Sequence, residues 1–292
     1  MIDGSTRLVG LIGNPVAHSL SPVMHNAAFD TLGLNWRYVP LRVAPDRLGD
    51  AVSGLPALGF CGANVTVPYK EAITSRLEVV TEDAARIGAV NTLVVRQARG
   101  DVQVVGHNTD VAGFVTALRD ARIDVAGERA VVVGAGGGGR AAVAGLVEMG
   151  AAEIVLLSRN EDRARAAANA FAQHAGRMVS AHLSAERLVD ATRRAALLVH
   201  ATPVGMWPHV EGSVWPDGVA FPRETAVFDL VYNPEPTRLV RQAAGARTAS
   251  GIEMLVAQAA LAFKLWTGRT APIDIMRTAC CWELGGRSAC VS

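Results

Sequence analysis

Short apolar runs alternate with amphipathic stretches along most of this chain, and that rhythm predicts the elements. Residues 7–13 (Arg-Leu-Val-Gly-Leu-Ile-Gly) read as a buried strand ending in glycine. Asn14-Pro15 starts a loop, and Ser21-Pro22 opens a helix that Gly33 closes. Residues 36–43 alternate as a second strand, and 45–58 read as helix interrupted by glycine and proline. Residues 60–67 form a third strand, with a helix expected from Pro68. A strand pair is expected over 90–96 and 102–105, turning at Arg99-Gly100-Asp101, before a helix over 111–121.

From there the pattern changes. Strands at 130–133, 153–157, 196–200 and 226–231 are separated by helical segments, and a long helix begins at Gly251 and is expected to pack back on the first part of the chain. Strands alternating with helices imply a parallel sheet covered on both faces. The predicted fold class is α/β in two domains: an N-terminal α/β domain, residues 1–111 plus 251–292, and a Rossmann-type doubly wound parallel sheet, residues 112–250. A length of 292 residues accommodates two such cores.

Composition removes several function classes. The net charge is +1 and basic runs are absent, which argues against nucleic-acid or membrane-surface partners. No apolar stretch reaches transmembrane length, no secretory signal is expected, and a cytoplasmic protein follows. Cys61, Cys280, Cys281 and Cys290 form no C-x-x-C pair, so free thiols are expected rather than a disulfide framework or zinc site. The seven histidines show no metal-ligand spacing, and no metal is expected.

Gly134-Ala135-Gly136-Gly137-Gly138-Gly139 sits between the strand ending at Val133 and a helix opening at Arg140. Glycines 134, 136 and 139 satisfy G-x-G-x-x-G: a tight turn, backbone approach to a pyrophosphate, and close helix–strand packing. The helix N-terminus would offer unpaired N–H groups to the phosphates. In NAD sites an acid ends the second strand and bonds the ribose 2′-hydroxyl. Here that strand ends in Ser158-Arg159-Asn160, with Arg163 one helical turn on. Two guanidinium groups suit a 2′-phosphate, so NADP is favoured over NAD. The acids Glu161 and Asp162 fit the first turn of a helix through its dipole.

Hydride transfer to a ketone needs a proton donor at the oxygen. Only two of the 28 basic residues are lysines, Lys70 and Lys264; the rest are arginine. Lys264 falls opposite the apolar face of its helix and reads as solvated. Lys70, in Asn64-Val65-Thr66-Val67-Pro68-Tyr69-Lys70, is the better candidate, although a surface lysine at a helix start fits the same residues. Asp110 reads equally well as a carboxylate near that amine or as the N-cap of the following helix.

From about Leu8 to Met276 the chain resembles the shikimate dehydrogenase family. The resemblance is carried by His18-Ser19-Leu20-Ser21-Pro22, Asn64 through Lys70, Gly88-Ala89-Val90-Asn91-Thr92, Asn108-Thr109-Asp110 and Gly134-Ala135-Gly136-Gly137. Ala201 through Met206, Asp229 through Pro234 and Gly251 through Leu255 extend it. It implies an NADP-dependent alcohol dehydrogenase interconverting 3-dehydroshikimate and shikimate on the route to chorismate and aromatic amino acids. Lys70 and Asp110 then match the catalytic pair, and Ser19, Ser21, Thr66, Asn91, Asp110, Tyr232 and Gln258 match substrate positions. Gly134, Ala135, Gly136, Gly137, Gly138, Ser158, Arg159 and Arg163 would hold NADP, with Leu230 and the Gly251 backbone walling the nicotinamide. Bland roles stand beside these: Ser21 as N-cap, Thr66 as a strand residue, Asn91 as a turn residue.

The first domain would thus bind substrate and the second NADP, in a monomer or homodimer whose partner is a small molecule. Two departures stand out. Ser158-Arg159-Asn160 replaces the family's Asn-Arg-Thr, and the tail from about Cys280 runs past the usual family end. Two alternatives share the fold: a broader quinate/shikimate dehydrogenase using NAD, and a non-catalytic ligand sensor. Arg159 with both serines argues against the first, and Lys70 with Asp110 against the second.

Overall fold

A computed structural model describes residues 2–98, 100–174 and 176–285. The chain divides into two compact units: one built on the chain up to Thr109 and from Gln258 onward, the other on Asp110–Ala257.

The first unit contains β1 (Arg7–Gly13), α1 (Ser21–Thr31), β2 (Trp36–Arg42), α2 (Leu48–Ala57), β3 (Phe60–Val65), β4 (Val79–Val80), α3 (Glu82–Ile87), β5 (Thr92–Ala98) and β6 (Asp101–His107). Its sheet runs β2-β1-β3-β5-β6-β4. The first three strands are parallel, and β5 pairs antiparallel with both β3 and β6. Helix α2 buries Leu48, Val52 and Leu55 in a cluster with Ile12, Val65, Ile73 and Leu93. Gly62 is required by its surroundings: a Cβ there would lie 2.2 Å from the Leu93 carbonyl oxygen and 2.4 Å from the Trp266 ring nitrogen. The space lets the Trp266 ring N–H donate to that carbonyl at 2.9 Å.

The helix expected from Pro68 does not form. Residues 68–73 are turns, followed by a 3-10 turn at Thr74–Arg76. One α-type bond forms, Ile73 N–H to the Tyr69 carbonyl at 2.9 Å, but the Lys70 carbonyl accepts from the Val90 N–H at 2.8 Å and Thr74 N–H turns to Glu71, so the α-helical ladder is not continued. Nor is Ser21 a cap: Leu20 precedes the helix, and no side chain among the described residues caps it. Cys61 and Cys280 are thiols, but Cys281 is disulfide-bonded, a correction to the expectation of four thiols that the spacing did not announce. Cys290, Arg99 and the tail beyond Gly285 lie outside the described residues.

The second unit contains α4 (Asp110–Asp120), β7 (Arg129–Val133), α5 (Gly137–Glu148), β8 (Glu153–Ser158), α6 (Glu161–Phe171), β9 (Arg177–His182), α7 (Ala185–Thr192), β10 (Leu197–His200), β11 (Ala226–Asp229), α8 (Arg238–Gln242) and β12 (Thr248–Ser250). Its sheet runs β12-β11-β10-β7-β8-β9, parallel throughout. Numbered within the unit, this is the doubly wound Rossmann order, reversing between β7 and β10. Val131, Val133, Leu157, Leu198 and Val227 pack with Leu188 of α7 and Trp215, while Phe114 of α4 stacks on Phe228 at 5.0 Å. Helix α9 (Gly251–Thr267) begins in this unit and continues into the first from Gln258, followed there by α10 (Ile273–Glu283). No helix among the described residues is long and apolar enough to cross a membrane.

His25 of α1 makes a prediction about stability. It is fully buried, stacked on Tyr38 at 4.5 Å and near Phe29, Phe263 and Trp266, and neither ring nitrogen has a hydrogen-bond partner among the described residues. Burial pushes its pKa down to about 3 from 6.5. Between those values the unfolded chain binds a proton that the folded one does not, so stability falls as pH drops through that window. Going from pH 8 to pH 5 should cost about 2 kcal/mol from this residue alone. Denaturant titrations of His25→Phe should show that much less acid sensitivity than the parent; equal sensitivity would mean the ring is protonated while folded.

Candidate active site

In the first unit the strand–turn sequence from β3 gathers most of the expected substrate-side residues. Thr66 N–H donates to the Ile12 carbonyl and its own carbonyl accepts from Tyr69 N–H, turning the chain so that Lys70 follows directly. A Cβ on Gly13 would lie 2.4 Å from the Thr66 methyl, so the segment leading to Ser19 abuts this turn. Ser19 Oγ accepts from the Ser21 N–H at 3.2 Å. The Val90–Lys70 backbone bond, with Val65 N–H donating to Asn91, ties the lysine turn to the segment carrying Asn91. Lys70 itself is half-buried.

Asn91 and Gln258 are brought together despite their separation in sequence. The Asn91 amide donates to Gln258 Oε1 at 3.2 Å and to the Thr109 hydroxyl at 2.9 Å. Its oxygen accepts from Thr109 N–H at 2.8 Å and from the Thr92 hydroxyl at 3.0 Å. Behind it, Asn64 donates to Thr92 and to the Asn91 carbonyl, and accepts from the Tyr38 hydroxyl. All of these residues are buried, and buried amides and hydroxyls hold one arrangement when fully bonded. Asn64, Thr92 and Thr109 lie in the motifs read from sequence but were given no site role there. Their signal was a run of polar residues at strand ends where apolar ones would have sufficed.

Within the second unit, Asp110 is buried and opens α4. Gly134 adopts φ +113°, a conformation open to glycine, and its N–H donates to Leu157 at 2.8 Å. A Cβ on Gly139 would lie 1.9 Å from the Gly134 carbonyl oxygen, so the third glycine of the motif is enforced by the turn itself. Ala135 is buried and Gly136 precedes α5 with no side-chain cap, leaving N–H groups at Gly137 and Gly138 directed to an incoming group. Such a glycine cradle fits a dinucleotide pyrophosphate.

The neighbouring strand β8 ends at Ser158, whose Oγ accepts from Asn160 N–H at 3.2 Å, and Asn160 caps α6 by accepting from Arg163 N–H at 2.9 Å. Arg159 and Arg163 are exposed, and Arg159 makes no ion pair among the described residues. Leu230 lies across the glycine turn: its side chain comes within 3.2 Å of a Cβ built on Gly138. A Cβ on Gly251 would meet the Leu230 carbonyl oxygen at 2.6 Å, so those two positions pack directly. Tyr232 follows, half-buried. Among the described residues no cluster of three or more acidic, histidine or cysteine side chains could hold a metal ion.

Known proteins resemble this chain along nearly its whole length. Residues 11–93 match the shikimate dehydrogenase substrate binding domain, and residues 251–281 match the shikimate 5′-dehydrogenase C-terminal domain. The shikimate dehydrogenase (NADP(+)) of Methanopyrus kandleri is 46% identical over 282 residues, spanning 95% of this chain and 96% of its own. The structure of shikimate 5-dehydrogenase from Thermus thermophilus in complex with NADP(H) and shikimate is similar with a TM-score of 0.83 at 38% identity, covering 96% of this chain and 100% of that one. Quinate dehydrogenase from Corynebacterium glutamicum in complex with NAD is similar with a TM-score of 0.83 at 31% identity, covering 94% and 98%. With relatives this similar along nearly the whole length, the chain belongs to the shikimate dehydrogenase family.

Proposed function

We propose that this protein is an NADP-dependent shikimate dehydrogenase, catalysing the reversible reduction of 3-dehydroshikimate to shikimate. The observation that carries the reading is the joining of Thr66, Lys70, Asn91 and Gln258 through one set of backbone and buried side-chain bonds in the first unit. A small polyhydroxylated carboxylate needs hydroxyls, amides and a cation at fixed positions, and this unit supplies them.

In this reading the first unit carries most of the substrate-binding residues and the second the NADP-binding ones. Ser19, Ser21, Thr66, Asn91, Tyr232 and Gln258 hold the carboxylate and hydroxyls. Lys70 donates a proton to the oxygen at the reacting carbon during reduction and takes it back in oxidation. Asp110 is the second catalytic group and also contacts substrate. Gly134 through Gly138 cradle the pyrophosphate, Ser158, Arg159 and Arg163 hold the 2′-phosphate, and Leu230 with the Gly251 backbone walls the nicotinamide. When bound, NADPH supplies the hydride. The partners are small molecules, with neither nucleic acid nor membrane involved, and the protein works in the cytoplasm as a monomer or homodimer.

The likeness to an NAD-complexed quinate dehydrogenase keeps a broader specificity as the second reading, opposed by Arg159 at the end of β8. Purified protein mixed with shikimate and NADP+ should build up absorbance from reduced nicotinamide. No turnover with shikimate or quinate and either nucleotide would favour a ligand sensor on this fold.

A further inference from the structure

Strands β10 and β11 each end an apolar run on one titratable residue: Leu-Leu-Val-His200 and Ala-Val-Phe-Asp229. The two are neighbours across the ladder and almost fully buried, at 1% and 2% exposure. Asp229 Oδ1 lies 2.9 Å from His200 Nδ1 and accepts from Val231 N–H at 3.0 Å, while Oδ2 accepts from the Thr237 hydroxyl at 2.6 Å. A carboxylate only accepts, so the proton of the neutral ring belongs on Nδ1. Nε2 is then an acceptor, and the Thr202 hydroxyl donates to it at 2.6 Å. Thr202 Oγ accepts in turn from Val204 N–H at 3.3 Å.

This chain of bonds stands where the sheet order reverses, the place such sheets use for ligands. The Ala201 carbonyl oxygen and Thr202 methyl lie 2.6 and 3.0 Å from where a Cβ on Gly134 would be, so the segment presses on the first glycine of the turn. Leu230 N–H donates to the His200 carbonyl at 2.9 Å, and Leu230 faces Gly138. One buried acid thereby fixes both segments that border the glycine turn.

We infer that His200 is a positioning residue for the dinucleotide, holding Thr202 and the Leu230 segment in the arrangement that receives it through the Asp229–His200–Thr202 relay. The inference rests on the reading of the second unit as the NADP-binding one. A fully paired buried network has one low-energy arrangement, and a half-paired one has several. The site is therefore ordered before the cofactor arrives, and the cost of ordering it does not fall on binding.

The test measures NADPH affinity by cofactor fluorescence in His200→Asn, Thr202→Val and the double variant, alongside Tm and the KM for shikimate. The asparagine amide nitrogen takes the place of Nδ1 and keeps Asp229 paired, but does not reach Thr202. Each single variant should raise the NADPH Kd about tenfold, the worth of one hydrogen bond. The double variant should match the singles, because both cut the same link. The KM for shikimate should stay within about twofold, which a general loss of packing would not spare. Kd values within about twofold of the parent in both single variants, or losses that multiply in the double, would overturn the relay. Should His200→Asn fail to fold, Thr202→Val alone decides on the same criterion. A parent protein that does not bind NADPH would instead sink the reading on which the inference stands.

Discussion

Replacing Lys70 with alanine should lower kcat by about three orders of magnitude, the middle of the range for a lost general acid–base group. The KM for shikimate should change far less, because Asn91, Gln258 and the hydroxyls of the first unit remain to bind it. Folding should be little affected: the bond that anchors this turn uses the Lys70 carbonyl, not its ammonium, and the alanine variant keeps it. Lys70→Arg sharpens the result. A guanidinium preserves the positive charge but does not give up a proton. If Lys70 acts by proton transfer, the arginine variant should be nearly as slow as the alanine variant. If only its charge matters, arginine should restore most of the rate. A turnover number unchanged in Lys70→Ala, measured at saturating substrate and cofactor, removes the residue from the mechanism.

The second large effect is on cofactor choice. Arg159→Ala should weaken NADP+ by about a hundredfold and leave NAD+ within about threefold. The difference is what a charge-assisted pair to a phosphate is worth, about 1.5–3 kcal/mol, when a neutral hydroxyl stands in the other nucleotide. Two local features favour a full effect. Arg159 makes no ion pair among the described residues, so its charge is not already spent. The turn that carries it is fixed by Ser158 Oγ accepting from Asn160 N–H and Asn160 Oδ1 accepting from Arg163 N–H, so the loss should not be softened by rearrangement. Equilibrium titration with both nucleotides checks this. Equal weakening of the two would mean that Arg159 supports the fold of the turn and reads no phosphate.

The second unit's sheet was legible because each signal was local. A continuous apolar strand, a glycine run and a helix start follow one another between Arg129 and Glu148, and β8 is a second apolar strand ending just before Arg159. Lys264 was equally legible, being exposed on the polar side of α9 as the helical wheel requires. Less visible were the short elements β4, β12 and α8, whose few residues carry too little periodicity to stand out, and β9, whose sequence Arg-Met-Val-Ser-Ala-His lacks the continuous apolar run of the central strands. The helix expected from Pro68 failed for a different reason. Its propensity is overridden by a long-range bond, Val90 to Lys70, that no window of sequence contains.

Buried polar groups divide in the same way. Asn91 and Gln258 came from motif resemblance, whereas Asn64, Thr92 and Thr109, which pair around Asn91, emerge only when β3, β5 and β6 are laid side by side. His200 and Asp229 each look like an ordinary strand end. Their meaning lies in the register that puts them opposite one another, a property of the sheet and not of either strand.

Steady-state kcat/KM for the four pairings of shikimate or quinate with NADP+ or NAD+ reads substrate and cofactor selection in one experiment. Shikimate with NADP+ should exceed every other pairing by at least about tenfold, the discrimination that one well-placed charge or hydroxyl contact provides. A maximum at quinate with NAD+ would contradict the assignment.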